Sequence, residues 1–205
     1  MKINPIIKLT RITLFPLKLI LLPYEKLPLH IFEPRYKKMV SESLKMDKPF
    51  GIVFNKGDRI HNIGCCVKIT DIFKKYPNGE YDLMVKGENL FNIIKTKKEE
   101  DLIIGKVNYI TPPKLVKTKK LKTLQDTYLK ILIRFGNDLI FEKHMELSIS
   151  YEFIKQIQLP LRVKEKILEI PDEIDRLNLI QDIFDNILNE ASKKVETSKD
   201  SFAKA

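Results

Sequence analysis

Four side chains of kinds found in many active sites occur close together in the segment LPLHIFEPRYKKMV at 27–40. His30, Glu33, Arg35 and Tyr36 supply an imidazole, a carboxylate, a guanidinium and a phenol. General acid–base catalysis uses such groups only where each lies within hydrogen-bond reach of the proton that it moves. The elements that carry these residues therefore decide whether a site can form.

The spacing predicts a strand followed by a helix, and this arrangement separates the four groups. Alternate side chains of a strand point to opposite faces, so His30 shares its face with Pro28 and Phe32 and has no acid beside it along the strand. We expect His30 to be hydrogen-bonded or solvated rather than to act as a general base.

Glu33, Pro34 and Arg35 are predicted to form the corner between the strand and the helix. Pro34 suits a first helical turn because its missing N–H would have no partner there. Glu33 lies where a carboxylate can accept hydrogen bonds from helix N–H groups. Arg35 could pair with Glu33, with a carboxylate of another strand or with a backbone carbonyl. Together with His30, these residues are interpreted as a structural corner.

The sequence lacks the common local motifs of catalytic and cofactor sites. Its glycines form neither the phosphate loop G-x-x-x-x-G-K-[ST] nor a dinucleotide fingerprint, and no serine lies in G-x-S-x-G. His30, His61 and His144 form no H-E-x-x-H motif. Cys65 and Cys66 are adjacent, and no second Cys or His pair lies at zinc-finger spacing. We predict no catalytic residue, cofactor or metal site, and an enzyme site assembled from distant residues stays an alternative.

The composition is that of a globular chain with excess positive charge. Of 205 residues, 43% are hydrophobic, and 37 Lys and Arg against 27 Asp and Glu give a formal charge of +10. The lysines are spread along the chain, with one dense run at 114–122, which favours a role in solubility over a polyanion partner. Prolines and a lysine interrupt the apolar stretch at 14–23, which is shorter than the roughly 20 residues of a membrane span. Since cysteine is also sparse, we predict a cytoplasmic protein without membrane association and assign 14–23 to buried strands.

The first half has the pattern of short strands broken by turn residues. The predicted strands are ITLFPL, LILLP, LPLHIF, FGIVF, GCCVKITDIF, EYDLMVKG, NLFNIIK and LIIGKVNYI. Asn78 and Gly79 are expected to occupy the two positive-φ positions of a type I′ hairpin turn. One helix is predicted at PRYKKMVSESL, where apolar side chains recur at helical spacing.

After residue 113 the apolar period becomes helical and predicts four helices. Their apolar faces span 121–135, 151–157, 163–168 and 174–188. Gly136 and Asn137 can end the first helix, and Asp172 and Glu173 suit the first turn of the last. The predicted fold class is α+β, with a β-rich lobe at 1–115 containing a partly closed sheet or barrel, a helical bundle at 116–190 and a disordered basic tail at 191–205.

The order of these motifs resembles the N-terminal substrate-binding domain of the Lon protease family in its stand-alone form. The matching stretches are LFPL at 14–17, LPLHIFEPRYKKMV at 27–40, PFGIVF at 49–54, IGCCVKITDIFKKYPNGEYDLMVKGENLFNI at 63–93 and the helical segment at 147–188. The resemblance covers about residues 8–190 and implies a PUA-like β lobe followed by a helical bundle.

The resemblance also implies a role in protein recognition. In full-length Lon proteases this region helps to select substrates ahead of an ATPase module and a Ser-Lys peptidase module, and the motifs of neither module occur in this sequence. We therefore expect a module of proteolysis-related protein quality control without ATPase or peptidase activity of its own. The expected partners are unfolded or degron-bearing proteins and a separate protease or chaperone, and a small-molecule substrate is not expected.

Six side chains are predicted to contact a polypeptide, because they lie beside the corner or on the hairpin. They are Tyr36, Met39, Phe73, Tyr76, Tyr81 and Met84. We expect them to capture exposed apolar or unfolded segments in a groove near the junction of the lobes, where an edge strand can add backbone pairing. The alternative is RNA binding, since PUA-like lobes occur in RNA-associated proteins and the net charge would supply attraction, although no aromatic-basic cluster is evident.

Overall fold

The computed structural model describes residues 9–113, 119–135 and 146–202, and these residues form a mixed α+β structure. The strands are β1 (Thr10–Leu17), β2 (Lys26–Ile31), β3 (Phe50–Asn55), β4 (Ile60–Lys75), β5 (Tyr81–Glu99) and β6 (Leu102–Tyr109). The helices are α1 (Pro34–Met46), α2 (Lys119–Arg134), α3 (Ser150–Ile154), α4 (Leu161–Glu169) and α5 (Glu173–Phe202). The expected helix stop at Gly136 and Asn137 lies outside the described residues.

The chain divides into two compact units. The first contains the residues up to Pro112 together with Gln158–Glu169, and thus all six strands, α1 and α4. The second contains Pro113–Ile157 and the residues from Ile170 onward. The first boundary between the two units falls after Pro112. Helix α4 groups with the strands, whereas the sequence analysis assigns it to the helical lobe.

The sheet closes on itself because β5 pairs with two neighbours in addition to β2. The strand order is β2-β5-β4-β3-β1-β6, and a further pairing of β5 with β6 joins the two sides. Strand β5 has 19 residues, so its first part can oppose β2 and β4 while its last part, from Phe91 to Glu99, opposes β6. The two predicted strands EYDLMVKG and NLFNIIK are thus parts of one strand. Among the described strands β2 pairs only with β5, which makes β2 an edge strand.

The interior of the closed sheet is filled by the ring of Phe91. A Cβ at Gly51 would lie 2.6 Å from the Cζ atom of Phe91, and a Cβ at Gly64 would lie 2.5 Å from the same atom. Only glycine leaves room for the ring at these two positions. The residues buried with it are Ile12, Leu14, Val53, Cys66 and Val107.

The apolar residues 19–23 are buried but do not form the predicted strand. Ile20, Leu21 and Leu22 lie in the core with irregular backbone. The N–H of Leu22 donates to Oε2 of Glu25 at 2.8 Å, and the N–H of Tyr24 donates to the carbonyl of Gly87 at 2.9 Å. The strand prediction for LILLP is therefore wrong, because a short apolar run shows burial without fixing the backbone conformation.

The β4–β5 hairpin is confirmed, and its predicted type I′ turn is wrong. Gly79 has a φ of 82°, but Asn78 does not have a positive φ. The N–H of Gly79 donates to the carbonyl of Tyr76, and the N–H of Tyr76 donates to the carbonyl of Glu80, both at 2.9 Å. Pro77 explains the difference, because it has no N–H with which to flank a two-residue turn and its ring fixes φ near −65°. The chain instead forms a three-residue loop with Gly79 as the left-handed residue.

The described helices of the second unit pack around aromatic side chains. The ring of Tyr128 in α2 stacks on Phe184 of α5 with centroids 5.6 Å apart and meets Phe153 of α3 edge-on at 5.5 Å. Oδ1 of Asp172 accepts hydrogen bonds from the N–H groups of Ile174 and Asp175, so Asp172 caps α5 as its position suggests. No described helix has the length and apolar character needed to cross a bilayer.

Helix α5 continues to Phe202, through most of the segment that the composition predicts as a tail. Residues 191–202 contain neither proline nor glycine and include Ala, Lys and Glu, which favour helix. Intrinsic preference can therefore extend the helix beyond residue 188, where its predicted apolar face ends.

A buried ion pair connects α4 to the segment before β2. Nζ of Lys164 lies 2.6 Å from Oε1 of Glu25, and the two side chains are 19% and 7% exposed. The other carboxylate oxygen of Glu25 accepts the N–H of Leu22. One glutamate thus holds the irregular segment and the helix together.

We predict that Lys164→Met destabilises the protein by about 3 kcal/mol, because it leaves the buried Glu25 carboxylate without its counter-ion. Urea unfolding followed by circular dichroism measures the effect. As a control, Lys38→Met removes the exposed ion pair with Glu100 and should leave the unfolding midpoint unchanged. Equal effects of the two substitutions would contradict the structural role assigned to the buried pair.

Candidate functional site

The outer part of the β4–β5 hairpin and the edge strand β2 form a three-stranded surface with one buried and one open face. Leu29 and Ile31 of β2 lie opposite Leu83 and Tyr81 of β5, on the buried face. The opposite face carries Pro28 and His30 from β2, facing Met84 and Asp82 from β5. We call this surface the open sheet face, defined by Pro28, His30, Asp82 and Met84 with the adjoining side chains of Phe32 and Tyr76.

Large apolar side chains are exposed on and beside the open sheet face. Phe32 is 57% exposed, and its ring stacks on the imidazole of His30 with centroids 5.8 Å apart. Phe73 is 61% exposed and lies at a β-bulge, because Ile72 opposes Leu83 while Lys74 already opposes Asp82. A bulge redirects side chains relative to a regular strand. The hairpin therefore presents aromatic surface to solvent.

A hydrogen-bonded group orders the rings of the open sheet face. Oδ1 of Asp82 lies 2.7 Å from Nδ1 of His30, and Oδ2 accepts the hydroxyl proton of Tyr76 at 2.7 Å. The hydrogen bond from Tyr76, followed by that from His30, lowers the pKa of the Asp82 carboxyl. The same bond raises the pKa of the Tyr76 phenol, because the carboxylate stabilises its protonated form. Sequence analysis finds no acid for His30 because Asp82 belongs to the neighbouring strand.

One lysine lies over a ring of this group, and three more lie further along the same face. Nζ of Lys74 lies 4.4 Å from the ring centroid of Tyr76, within the range of a cation–π contact. The strand register also places Lys26, Lys68 and Lys86 on the open sheet face. The surface thus combines exposed apolar area with positive charge.

The six predicted contact residues divide into an outer and an inner group. Phe73, Tyr76 and Met84 lie on the hairpin with exposed or half-buried side chains, whereas Tyr36, Met39 and Tyr81 are buried. The Tyr36 ring packs on Phe15 with centroids 4.2 Å apart, and burial raises the pKa of its phenol. Met39 is buried at the lining of a cavity of about 610 Å³ formed by β1, α1 and β6. Polypeptide contact at all six positions stays a prediction.

The corner residues form a local ion pair apart from His30. Nε and Nη2 of Arg35 donate to Oε2 of Glu33 at 2.9 and 2.6 Å, and this bonding raises the pKa of the guanidinium. Pro34 begins α1 as expected, and the Glu33 carbonyl accepts the N–H groups of Tyr36 and Lys37. The expectation that the Glu33 carboxylate caps the helix is wrong, because Arg35 holds that carboxylate instead.

One group of described residues combines side chains that could bind a metal ion. His61, Glu165 and Glu169 offer ligand atoms that all lie within 4.8 Å of one another. The spacing rules applied to the sequence do not find this group, because its members come from β4 and from a helix far along the chain.

The sequence matches the model of the family described as ATP-dependent protease La (LON) substrate-binding domain over residues 11–186. The chain belongs to this family. The resemblance noted from the sequence motifs is thereby confirmed, and the protein is a substrate-binding module of the Lon type.

Two solved structures have the same fold as this Lon-type domain. The crystal structure of a Lon N-terminal domain protein from Xanthomonas campestris is similar with a TM-score of 0.67 and 20% identity, covering 82% of this chain and 95% of that one. The N-terminal domain of the Mycobacterium avium complex Lon protease is similar with a TM-score of 0.67 and 18% identity, covering 86% of this chain and 98% of that one. At these identities the likeness extends to the fold and not to particular side chains.

We predict that Tyr76→Phe raises the pKa of Asp82 towards that of an ordinary carboxyl, because the substitution removes the hydrogen bond that lowers it most. His30→Asn removes the second hydrogen bond to Asp82, which lowers the pKa less, and should therefore raise the pKa of Asp82 by a smaller amount. Carboxyl-detected NMR titration measures both shifts. Glu100, whose pKa is lowered by Lys38, is an internal control that should not change. An unchanged Asp82 titration in Tyr76→Phe would show that the hydrogen bond does not form in solution.

Proposed function

We propose that this Lon-type domain captures exposed apolar segments of unfolded or degron-bearing polypeptides on the open sheet face, without ATPase or peptidase activity of its own. The observation that carries the proposal is the aromatic surface of β2 and the hairpin: Phe32 next to the edge strand β2 and Phe73 on the hairpin are exposed, and the Tyr76 ring is half-buried. Membership of a substrate-binding family supports a polypeptide as the ligand.

The edge strand supports recognition of extended chains whose sequences differ. A polypeptide segment added to a sheet edge gains main-chain hydrogen bonds whatever its side chains are, and alternate side chains then contact the sheet faces. The outer edge of β2 lies next to Pro28, His30 and Phe32. A segment paired there would place every second side chain towards the open sheet face.

The exposed rings supply apolar contact at low entropic cost. Aromatic side chains bury large areas and have few rotatable bonds, which is why they are common anchors of interfaces. The hydrogen bonds of Asp82 to His30 and Tyr76 already restrict two of the rings. Binding therefore costs less conformational entropy on this surface than it would on a flexible loop.

The buried members of the predicted set have a supporting place in this proposal. Tyr81 lies on the buried face of the same strand whose other face carries Asp82 and Met84. Substitution of Tyr36, Met39 or Tyr81 would remove core packing and would confound loss of binding with loss of stability. The exposed residues are therefore the appropriate targets.

The lysines favour segments that carry acidic residues next to their apolar ones. Lys26, Lys68, Lys74 and Lys86 share the open sheet face. Complementary charge raises association rates and orients a ligand more than it adds affinity. Handing a captured chain to a separate protease or chaperone completes the proposed role in cytoplasmic protein quality control.

RNA binding is the second candidate function, and one observation favours it. Lys74 lies over the Tyr76 ring close to the exposed Phe73, an aromatic-basic arrangement that the sequence analysis does not find. Such arrangements bind single-stranded nucleic acid by stacking and charge. If RNA were the ligand, affinity should persist at physiological salt rather than collapse as non-specific attraction does.

We predict that the double substitution Phe32→Ser/Phe73→Ser weakens binding of a fluorescently labelled, reduced and carboxymethylated polypeptide by at least about tenfold, because it removes two aromatic anchors. Fluorescence anisotropy measures the dissociation constant. Ile94→Ser is the matched control, since Ile94 is equally exposed at 58% but lies in the part of β5 that pairs with β6.

Equal loss in the control, or no loss in the double variant, would exclude the open sheet face as the site. Tight binding of a labelled single-stranded RNA at physiological salt, lost in the same double variant, would favour the second candidate. Hydrolysis of ATP or of peptides by the purified protein at rates above those of a mock preparation would contradict the absence of its own activity.

A further inference from the structure

A second polar cluster lies at the end of β4 opposite the hairpin, where α4 meets the strand. Nε2 of His61 lies 3.2 Å from Oε1 of Glu169. Glu165 and Glu169 are four residues apart in α4, so their carboxylates lie on one face of the helix. All three residues belong to the first structural unit.

The backbone of Ile63 fixes the orientation of the His61 ring. Nδ1 of His61 accepts the N–H of Ile63 at 3.0 Å and lies 3.2 Å from the carbonyl oxygen of the same residue. While Nδ1 accepts that N–H, the ring proton of a neutral imidazole is on Nε2, which faces Glu169. A metal ion at Nε2 would move the ring proton to Nδ1, which lies within hydrogen-bond reach of the Ile63 carbonyl oxygen. Metal-binding histidines are typically held in this way by a backbone carbonyl or a carboxylate at the other nitrogen.

Burial and access also suit a bound ion. The His61 side chain is 9% exposed and well fixed, whereas Glu169 is 55% exposed. A cavity of about 810 Å³ lined by His61, Glu169 and Asn92 reaches the cluster from solvent. The ring is thus fixed by the protein, and the carboxylates can adjust to an incoming ion.

The two carboxylates would repel each other without a cation. Lys56 pairs with Glu165 and supplies one positive charge. A divalent ion would supply twice that charge and would contact both carboxylates and the imidazole together. Such an ion therefore competes with the Lys56 ammonium for Glu165.

We propose that His61, Glu165 and Glu169 form a Zn²⁺ site that clamps α4 to the start of β4. One imidazole nitrogen with two carboxylates, completed by water, is a donor set that Zn²⁺ accepts, whereas Mg²⁺ and Ca²⁺ prefer oxygen ligands alone. The site is separate from the open sheet face and does not depend on polypeptide binding. It also departs from the sequence analysis, which predicts no metal site.

Calorimetric titration of the untagged full chain with ZnCl₂ tests the proposal. Wild type should bind one equivalent, and Glu169→Gln and His61→Asn should each weaken binding at least about tenfold. Lys56→Met should bind more tightly, because it frees Glu165 from its competing cation. A large excess of MgCl₂ should not displace the zinc, and the melting temperature of wild type, but not of Glu169→Gln, should rise with ZnCl₂.

His30→Asn is the matched control, because His30 also lies beside two acids, Asp82 and Glu80, on the same unit. It should leave zinc binding unchanged. Absence of binding by wild type, full affinity in Glu169→Gln, or loss of binding in His30→Asn would each overturn the assignment. Glu169 is exposed enough for its substitution to preserve the fold, so that variant separates loss of a ligand from loss of structure.

Discussion

The pairing of β5 with both β4 and β6 is the constraint on which the rest of the first unit depends. It closes the sheet around Phe91, and the closure is possible only because Gly51 and Gly64 leave space for that ring. A 19-residue strand is longer than the closed part requires, so its first residues extend beyond it with β2 and the end of β4. The open sheet face is thus a consequence of how the interior is closed.

The second constraint is that the chain leaves the first unit after Pro112 and comes back to it at Gln158–Glu169. Helix α4 comes back to the first unit and is held there by Lys164, whose ammonium meets the buried Glu25 carboxylate. The same helix carries Glu165 and Glu169 on the side that faces His61. Because both units contain segments from separate parts of the chain, neither can be removed by a single cut without breaking the other.

Local patterns predict the elements, and the structure decides what lies between them. The strand-to-helix corner at Pro34, the β4–β5 hairpin and α4 follow from proline placement and apolar period, which act over a few residues. The predicted type I′ turn is wrong because Pro77 outweighs the Asn-Gly signal. The predicted strand at 19–23 is wrong because burial does not specify backbone conformation. The contacts of Asp82 and the burial of Tyr81 depend on pairing between distant strands, which no local pattern reports.

Strand β2 is short and carries Lys26 and Pro28 along an edge that remains unpaired among the described strands. An exposed edge next to aromatic side chains invites identical molecules to stack into fibres. A proline without an N–H and a flanking lysine both make such stacking irregular. The edge of β2 can therefore stay open beside aromatic side chains while its own residues protect the domain against polymerisation with identical copies.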